Sequence, residues 1–233
     1  IYTHSNSDVS KIAFNKNLTK IFFEKTEIPF IESKIIEKKS LNINLLKVFF
    51  NEFNSFIIKP VSSGSSFGVK IFDNIKDIEK FTSNLDSELS IYKDHDELMI
   101  EKYIKGKELT VCVIENEKKQ SESLEVTEII PKNFFYDYDS KYIEGRSEHI
   151  IPANIPKEVY QNCLRYSKIA HDKLNCRGIS RSDFIYDGKN IYFLEINTQP
   201  GLTGTSLAPE QAEYRNINFD QLVIKIIEAA YIL

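Results

Sequence analysis

The sequence has little of what would mark a secreted, nucleic-acid-binding or membrane protein. Its three cysteines, Cys112, Cys163 and Cys176, are odd in number and lack metal-ligand spacing, which predicts reduced thiols in a cytosolic protein. The formal net charge of -4 argues against nucleic acid as the main partner, because phosphate binding usually leaves a basic patch. No apolar run approaches the roughly 20 residues that a membrane span needs. We therefore expect a cytoplasmic globular protein without nucleic-acid or membrane partners.

Histidine and methionine are also scarce. The four histidines are scattered, and no two have the helical spacing that would let them hold a metal together. The only methionine is Met99 and the chain begins with Ile1, so we expect a further segment upstream. The abundant Ile, Lys and Asn are spread evenly along the chain, and we interpret them as compositional background rather than as a site.

Hydrophobic periodicity predicts an α+β protein with mostly antiparallel strand pairs. The expected helices are at residues 8–25, 44–53, 74–89, 157–174, 209–214 and 219–231. The expected strands are at residues 30–36, 55–60, 69–72, 98–104, 108–114, 124–130, 179–187 and 191–196. The segment 131–152 is aromatic and polar without clear periodicity. Loops this long are uncommon in compact domains and tend to be lids or disordered, so we interpret it as a lid.

Four polar residues interrupt an apolar hairpin in the segment 179–201, which reads ISRSDFIYDGKNIYFLEINTQPG. Alternate side chains of a strand share a face. Arg181 and Asp183 therefore point one way, and Glu195 and Asn197 share a face of the partner strand. A three-residue loop between the strands would place Asp183 opposite Glu195 and Arg181 opposite Asn197.

The predicted cluster of oxygen ligands favours a divalent cation. Two carboxylates and an amide oxygen within ~5 Å of one another repel unless a cation lies between them. Such hard ligands suit Mg²⁺ or Mn²⁺, which often bind substrate phosphates as well. The same alternation places Phe193 on this face and Leu194 on the other. The alternative is the polar outer face of an ordinary hairpin.

A loop of small residues follows a strand that ends in a lysine. Lys59 and Pro60 close the strand, and residues 61–68 read VSSGSSFG. Backbone N–H groups of small residues can approach an anion, and Lys59 would add a positive charge. The loop is not a Walker A motif, because no Gly-Lys-Ser/Thr triplet closes it and a strand follows. Phosphate binding and a plain β-turn both stay open.

Charged residues interrupt the two strands that come next. Glu101 and Lys102 lie within one apolar strand, and Glu108 opens the following strand. A carboxylate can accept a hydrogen bond from a ribose hydroxyl, and a backbone N–H and C=O can read an adenine edge. A half-exposed strand pair without a ligand is the alternative reading.

Taken in this order, the segments resemble those of the ATP-grasp superfamily and, within it, the D-alanine–D-alanine ligases. The likeness covers nearly the whole chain and rests on FNKNLTK, IIKPVSSGSSFGV, MIEKYIKGKELTV, FFYDYDSKY, CRGISRSDF and YFLEINTQPGLTGTSL. It implies an α+β ATP-grasp fold, with two α+β subdomains and mainly antiparallel sheets that clasp ATP between them. The expected subdomains are 1–102, with the phosphate-covering loop 61–68, and 103–233, with the metal hairpin 179–197 and the lid loop 131–152.

The resemblance also implies roles for individual residues, carried over from the family by position. The residues expected to contact ATP are Lys16, Lys59, Ser65, Ser66, Glu101, Lys102, Ile104, Glu108, Lys141 and Phe193. The residues expected to bind two Mg²⁺ or Mn²⁺ ions are Asp183, Glu195 and Asn197. The residues expected to bind D-alanine are Tyr142, Arg181, Gly201, Ser206 and Leu207. Those expected to take part in catalysis are Ser65, Tyr142, Arg181 and Ser206.

The implied reaction joins two D-alanines for peptidoglycan precursor synthesis. ATP phosphorylates one D-alanine carboxylate, and the amine of the second D-alanine attacks the resulting acyl phosphate. Arg181 would stabilise the developing charge, while the metals bridge phosphate oxygens and the site excludes water. Tyr142 would close the lid, and a tyrosine there resembles the dipeptide-forming ligases. The same resemblance implies a homodimer.

The sequence departs from the family pattern at three points. Asn15 stands where many relatives carry Asp, and Gln199 stands where many carry Ser before Pro-Gly. The family's N-terminal domain, with the glutamate that binds the first D-alanine amine, is missing from the sequence. Two alternatives therefore stay open: another ATP-grasp carboxylate–amine ligase with a different acceptor, and a non-catalytic nucleotide-binding fragment.

Overall fold

The chain folds into two compact units. The residues that the computed structural model describes are 2–64, 66–116, 118, 120–131 and 147–230. The larger unit consists of Ile1–Phe30 and Gly106–Leu233, and the smaller unit of Ile31–Lys105. The sequence-based boundaries, 1–102 and 103–233, differ from this division, since the first thirty residues group with the C-terminal segment.

Aromatic packing explains why the first thirty residues belong to the larger unit. The ring of Phe193 has centroid distances of 6.1 Å to Phe23 and 5.4 Å to Phe30. The backbone N–H of Phe193 also donates to the carbonyl of Pro29 at 2.8 Å. Aromatic pairs at these separations stabilise beyond the area they bury, so the segment is held by the sheet of the larger unit.

The smaller unit is a four-stranded antiparallel sheet with helices on one face. Its strands, in the order β1-β4-β2-β3, are β1 Ser33–Glu37, β2 Phe56–Pro60, β3 Lys70–Phe72 and β4 Glu97–Lys102. Its described α-helices are α3 Ile43–Phe53, α4 Ile75–Ser83 and α5 Leu85–Leu89. Buried side chains such as Leu46, Phe56 and Ile100 form the core between helices and sheet. Alternation then places Lys59 and Glu101 on the other face.

The larger unit is built on a five-stranded antiparallel sheet in the order β7-β6-β5-β8-β9. The strands are β5 Lys107–Glu115, β6 Ser121–Pro131, β7 Ser147–Ile150, β8 Ile179–Tyr186 and β9 Ile191–Asn197. The described α-helices of this unit are α1 Ser7–Phe14, α2 Lys16–Phe23, α6 Lys157–Leu174, α7 Leu207–Tyr214 and α8 Phe219–Glu228. Helices α1, α2 and α6 share a core with the face that carries Val111 and Phe184. Helices α7 and α8 pack on the opposite face, against Cys112 and Ile179.

Asparagine side chains begin several helices, so the abundant Asn is not only compositional background. The side chains that accept a hydrogen bond from the first helical turn belong to Asn6, Asn15, Asn42, Asn74 and Asn218. Asparagine is among the best N-cap residues, because its oxygen satisfies an N–H that the helix leaves without a partner. Asn54 and Asn175, at φ 63° and 58°, follow the last residues of α3 and α6. Asparagine tolerates this left-handed region better than other side chains.

Three predicted elements differ from the structure. The helix expected at 8–25 is two helices, because Asn15 leaves the helical conformation, ends α1 and caps α2. The helix expected at 74–89 is likewise interrupted, at Asn84. The loop expected at 131–152 contains a strand, β7, which pairs with the end of β6. Residues 132–146 of that loop lie outside the described part of the chain.

The three cysteines lie in the interior of the protein. Cys112, Cys163 and Cys176 are free and buried, and burial raises the pKa of each thiol to about 12. Such thiols are inert rather than reactive. Within the described residues, no helix combines the length and the apolar character needed to cross a bilayer.

Candidate active site

The register of β8 and β9 confirms the predicted pairing of the four polar residues. Asp183 lies opposite Glu195, and Arg181 lies opposite Asn197. Paired residues of an antiparallel ladder point to the same face. The two carboxylates, the amide and the guanidinium therefore share one face of the sheet, the face on which α7 packs.

The turn between the two strands is fixed by a local side chain. Asp187 Oδ1 accepts hydrogen bonds from the backbone N–H groups of Lys189 at 2.8 Å and Asn190 at 2.6 Å. Gly188 has φ +94°, which an L side chain rarely adopts. These local preferences set the pairing next to the turn, where Tyr186 lies opposite Ile191. The predicted three-residue loop, which would have put Asp187 opposite Ile191, was therefore wrong. The register of the polar residues depends in addition on a shift between Asp183 and Phe184.

A β-bulge moves Phe193 off the polar face, so its predicted placement on that face was wrong. Asp183 pairs with Glu195, whereas the next residue, Phe184, pairs with Phe193, so Leu194 is the extra residue. One extra residue reverses the alternation of faces beyond it. Phe193 is 1% exposed, and its ring packs edge-on against Phe184 at a centroid distance of 5.3 Å. A contact between Phe193 and a nucleotide stays a prediction.

Arg181 and Asp183 form a two-point ion pair at the centre of the polar face. Arg181 Nε donates to Asp183 Oδ1 and Nη2 donates to Oδ2, both at 2.9 Å. Thr110 Oγ1 donates to Asp183 Oδ1 at 2.7 Å. Burial alone lowers the pKa of Arg181, but the charge and hydrogen bonds of Asp183 outweigh burial and hold that pKa above its ordinary value. The guanidinium is therefore a fixed positive charge beside the carboxylate.

Lys16 approaches the other carboxylate of the hairpin. Its Nζ lies 3.8 Å from Glu195 Oε2, and the two side chains are 11% and 27% exposed. Lys16 is the first residue of α2, where the side chain of Asn15 accepts from Leu18 N. The structure thus brings a residue assigned to phosphate contact beside a candidate metal ligand.

The donor set on this face fits a hard divalent cation. Asp183 and Glu195 offer carboxylate oxygens, and the side-chain oxygen of Asn197 already accepts from Gln199 N at 2.9 Å. Among the described residues no group of three or more His, Cys, Asp or Glu could hold a metal by itself. Mg²⁺ commonly takes one or two carboxylates together with waters and substrate phosphates. The residues therefore suit Mg²⁺ or Mn²⁺ that binds together with a phosphate compound.

The loop after β9 returns to the same face through α7. Ser206 precedes α7, and its Oγ accepts from Thr203 N at 3.0 Å. A Cβ at Gly201 would lie 2.7 Å from Ser206 Oγ, so a larger residue at this position would displace the Ser206 hydroxyl. Leu207 is buried, 8% exposed, against Ile129. Gly201 and Ser206 are therefore close together, while Leu207 packs in the core.

The smaller unit joins two of the predicted nucleotide residues in an ion pair. Lys59 on β2 donates to Glu101 on the neighbouring strand β4. The two residues are 7% and 3% exposed. Removing one partner of a buried pair leaves an uncompensated charge and typically costs about 3–5 kcal/mol. The pair therefore holds both side chains in place on the face opposite the helices.

The small-residue loop of this unit has turn geometry. Phe67 N donates to Gly64 O at 3.1 Å, and Val69 N donates to Ser66 O at 3.3 Å. Ser66 has φ 58°. Gly68 has φ +69°, and its carbonyl accepts from Tyr92 OH at 2.6 Å. Three residues with predicted roles lie outside the described part of the chain: Ser65, Lys141 and Tyr142.

The remaining nucleotide candidates lie along the chain on either side of Lys105 and Gly106, where the smaller unit ends and the larger unit resumes. Lys102 is exposed, and its backbone N–H donates to Glu32 O at 3.0 Å. Ile104 is half-buried beyond the end of β4. Glu108 lies on β5, two residues before Thr110 and on the same face. Their contacts with adenine and ribose stay predictions, as do the roles of the other site residues.

Sequence reasoning missed Thr110, although a signal was present. Thr110 pairs with Asp183 across β5 and β8, and it is fully buried. Residues two positions apart on a strand share a face, so the sequence places Thr110 on the same face as Glu108, which was singled out as a nucleotide candidate. Its neighbour across the sheet could not be read from the sequence, because β5 and β8 are far apart along the chain.

A known family model matches most of the chain. The family model described as D-ala D-ala ligase C-terminus matches residues 22–228. Among curated proteins, the chain is similar to a D-alanine--D-alanine ligase of Rhodospirillum rubrum. The identity is 38% over 229 residues, which is 98% of this chain and 70% of that protein.

Solved structures of such ligases share the fold. The D-alanine--D-alanine ligase from Bacillus anthracis complexed with ATP has 26% identity and a TM-score of 0.74, covering 98% of this chain and 70% of that chain. The D-alanine-D-alanine ligase from Coxiella burnetii has 22% identity and a TM-score of 0.79, covering 98% of this chain and 59% of that chain. These neighbours are ATP-grasp proteins, so the expected α+β ATP-grasp fold with antiparallel sheets is confirmed.

Proposed function

This chain belongs to the family of D-alanine–D-alanine ligases, and we propose that it supplies the ATP-binding and metal-binding part of such an enzyme. The reaction is the ATP-dependent ligation of two D-alanines to D-alanyl-D-alanine. An acyl phosphate of the first D-alanine is the intermediate, and the amine of the second D-alanine attacks it. The product serves peptidoglycan precursor synthesis, and so cell-wall formation and cell shape.

One observation carries the proposal. Asp183, Glu195, Asn197 and Arg181 share one face of the β8–β9 hairpin in the predicted register. A purely structural hairpin would not need two carboxylates opposite each other, because like charges in that position destabilise a sheet. A site that binds a divalent cation together with ATP gives each of the four residues a use.

The cationic residues would bind and stabilise phosphate charge. Arg181, held by Asp183, would face the oxygens that gain charge as the phosphoryl group moves. Lys59, oriented by Glu101, and Lys16 would contact the ATP phosphates. Mg²⁺ or Mn²⁺, when bound, neutralises phosphate charge and orients ATP. Within each unit, Arg181 and Lys59 are already oriented by a carboxylate partner, which reduces the cost of ordering these side chains when a phosphate binds.

The loop before α7 would bind the second D-alanine. Gly201 and Ser206 are close to each other, and the hydroxyl and the backbone groups of this loop can hydrogen bond a carboxylate. Ser65 and Tyr142 complete the proposed catalytic set, together with the phosphate contact Lys141. A closed site would exclude water and so protect the acyl phosphate from hydrolysis.

The proposal also covers the location and the assembly of the enzyme. We propose that the enzyme works in the cytoplasm, where ATP and D-alanine are available, and the buried free thiols fit a reducing compartment. A homodimer is the proposed assembly.

Replacing Glu195 by glutamine tests the proposal. Glu195→Gln removes one charged oxygen ligand and keeps the shape of the side chain, so metal-dependent ligation should fall by at least about 100-fold. The fold should persist, because Glu195 is on the partly exposed face of the hairpin. The measurement is D-alanine-dependent ADP release by the full-length protein at saturating Mg²⁺.

The matched control is Glu213→Gln, an exposed glutamate on α7, which should keep wild-type ADP release. Unchanged ADP release in Glu195→Gln would refute the metal role. ADP release that depends on another amino acid, with none for D-alanine, would instead favour an ATP-grasp ligase with a different acceptor. ATP binding without ligation by the wild type would favour a non-catalytic nucleotide-binding protein.

A further inference from the structure

Gln211 is a glutamine buried in α7 that hydrogen bonds two strands of the sheet. Its Nε2 donates to Thr110 O and to Thr127 Oγ1, both at 3.1 Å. Its Oε1 accepts from Cys112 N at 2.8 Å. Gln211 is 0% exposed, and a buried amide without partners would cost about 1–3 kcal/mol. These hydrogen bonds fix the position of α7 on the sheet far more specifically than apolar packing would.

The contact is made where the strand ladder is irregular. Val111 pairs with Val126 and Val113 pairs with Ser123, so Cys112 alone lies opposite two residues of β6. Such a bulge disrupts the ladder hydrogen bonds. The carboxamide of Gln211 accepts from Cys112 N at this position, much as a strand backbone would. Gln211 therefore joins α7 to the five-stranded sheet at the bulge in β5 and β6.

The N-terminal end of α7 carries the candidate D-alanine loop. Ser206 is the N-cap residue of α7, five positions before Gln211. Ser206 Oγ accepts from Thr203 N at 3.0 Å and lies 2.8 Å from Thr203 Oγ1. A helix is rigid over one or two turns, so a displacement of α7 at Gln211 would displace Ser206 as well.

Thr110 connects Gln211 to Asp183, the candidate metal ligand. Its carbonyl accepts from Gln211, and its hydroxyl donates to Asp183 Oδ1 at 2.7 Å. Thr110 is 0% exposed, so its hydroxyl has no competing bulk water. Thr110 thus contacts both Gln211, which fixes the helix that carries the D-alanine loop, and Asp183, which pairs with Arg181.

We propose that Gln211 and Thr110 are positioning residues, which hold the D-alanine loop at a fixed distance from Asp183. The inference rests on the proposed ligase function. It adds that hydrogen bonds of Gln211 and Thr110 set the distance between the acceptor D-alanine and the metal. Attack on an acyl phosphate requires reacting atoms about 3–3.5 Å apart, and a misplacement of about 1 Å can cost 100-fold in rate. Partners that hold a ligating carboxylate commonly change metal affinity or activity by 10–100-fold when removed.

The Thr110 variants test the link to the metal. Thr110→Val removes the hydroxyl but keeps the branched shape and the carbonyl that Gln211 binds, whereas Thr110→Ser keeps the hydroxyl. The dissociation constant for Mn²⁺ in the presence of ATP should rise about tenfold in Thr110→Val and stay within about twofold in Thr110→Ser. The readout is direct Mn²⁺ titration of the full-length protein without D-alanine, so it does not depend on turnover.

The Gln211 variants test the link to the loop. Gln211→Met keeps the length of the side chain and removes the three hydrogen bonds, and the KM for the second D-alanine should rise about tenfold while the KM for ATP stays within about twofold. The control is Gln161→Met, an exposed glutamine on α6, which should leave both values unchanged. Thermal unfolding of each variant separates this effect from loss of fold.

The outcomes are distinct. If Thr110→Val and Gln211→Met lower the melting temperature but keep wild-type Mn²⁺ affinity and KM values, the two residues are structural only and the inference is overturned. If Gln211→Met does not fold, Thr110→Val still decides, since Mn²⁺ affinity equal to that of Thr110→Ser overturns the inference. If the wild type neither binds Mn²⁺ nor releases ADP with D-alanine, the proposed function fails and the inference falls with it.

Discussion

At the scale of single residues, the charged groups of the candidate site are held by partners within their own unit. Arg181 holds Asp183, and Glu101 holds Lys59. The pairing of Asp183 with Glu195 agrees with the prediction, but the turn alone does not produce it, because Tyr186 pairs with Ile191 next to the turn and the bulge at Leu194 then shifts the register by one residue. The pair Lys59–Glu101 could not be predicted, because the two residues are 42 positions apart and become neighbours only when β2 and β4 pair.

The buried residue His171 predicts a measurable dependence of the free energy of unfolding on pH. It is 1% exposed on α6, and its Nδ1 lies 2.8 Å from Ser180 Oγ. Burial, opposed by the charge of Asp172 and assisted by the cations Lys168 and Arg177, lowers the pKa of His171 from 6.5 to about 4. The folded protein therefore keeps this imidazole neutral over a pH range in which the unfolded chain binds a proton.

The sign of the effect follows from proton linkage. Because the unfolded state binds more protons between pH 6.5 and about 4, stability falls as the pH is lowered through that range. At about 1.4 kcal/mol per pKa unit, this single group should cost on the order of 3 kcal/mol by pH 4. The free energy of unfolding, measured by denaturant titration from pH 7 to pH 4, should fall less in His171→Asn than in the wild type.

The control for His171 is His95→Asn, at a partly exposed histidine. This variant measures how a change from histidine to asparagine at a partly exposed position alters the free energy of unfolding over the same pH range. Equal pH slopes for His171→Asn and the wild type would mean that the buried imidazole is not kept neutral, and that the acid sensitivity has another source.

At the scale of elements, periodicity predicted most helices and strands but not their interruptions. The predicted helix 157–174 agrees with α6, Lys157–Leu174. Asn15 and Asn84 are compatible with an apolar stripe that runs past them, so the stripe alone does not reveal that a helix ends there. Strand β7 has no apolar alternation, and it forms because β6 offers an edge with which Ser147–Ile150 can pair. This strand therefore forms because of its pairing with β6 and not because of the strand preference of its own residues.

The start of β5 provides a prediction about packing between strands. A Cβ added at Gly106 would lie 2.2 Å from the carbonyl oxygen of Tyr186 and 2.7 Å from its carbonyl carbon. Backbone atoms of β8 cannot yield as a flexible side chain would, so Gly106→Ala should lower the free energy of unfolding by about 1–3 kcal/mol. Chemical denaturation monitored by circular dichroism measures the change.

The matched variant for Gly106 is Gly204→Ala, because a Cβ there meets nothing within 4 Å. Gly204→Ala should change the free energy of unfolding by no more than about 0.5 kcal/mol. If both alanine variants were equally stable, the close approach of Gly106 to β8 would not constrain the position of β5.

At the scale of the whole molecule, chain order did not predict which segments share a core. The first thirty residues join the larger unit because Val9, Ala13 and Phe23 pack with buried residues of β5, β8 and β9. The sequence shows that these helices are amphipathic, but amphipathicity does not identify the surface that buries them. Phe193, one of the residues that pack against them, is more than 150 positions away along the printed sequence.

Because each unit has its own core, a cavity in one core should loosen that unit first. Leu46 is 0% exposed in the core of the smaller unit, and Val48 on the same helix α3 is 58% exposed. Leu46→Ala should cost about 2–5 kcal/mol, since it removes buried methyl groups and leaves a cavity. Hydrogen exchange should then accelerate across Ile31–Lys105 while the sheet of the larger unit keeps its protection. Val48→Ala should leave both units as protected as in the wild type. Equal acceleration in both units of Leu46→Ala would mean that the chain opens as one cooperative body, and that the structural division is not an energetic one.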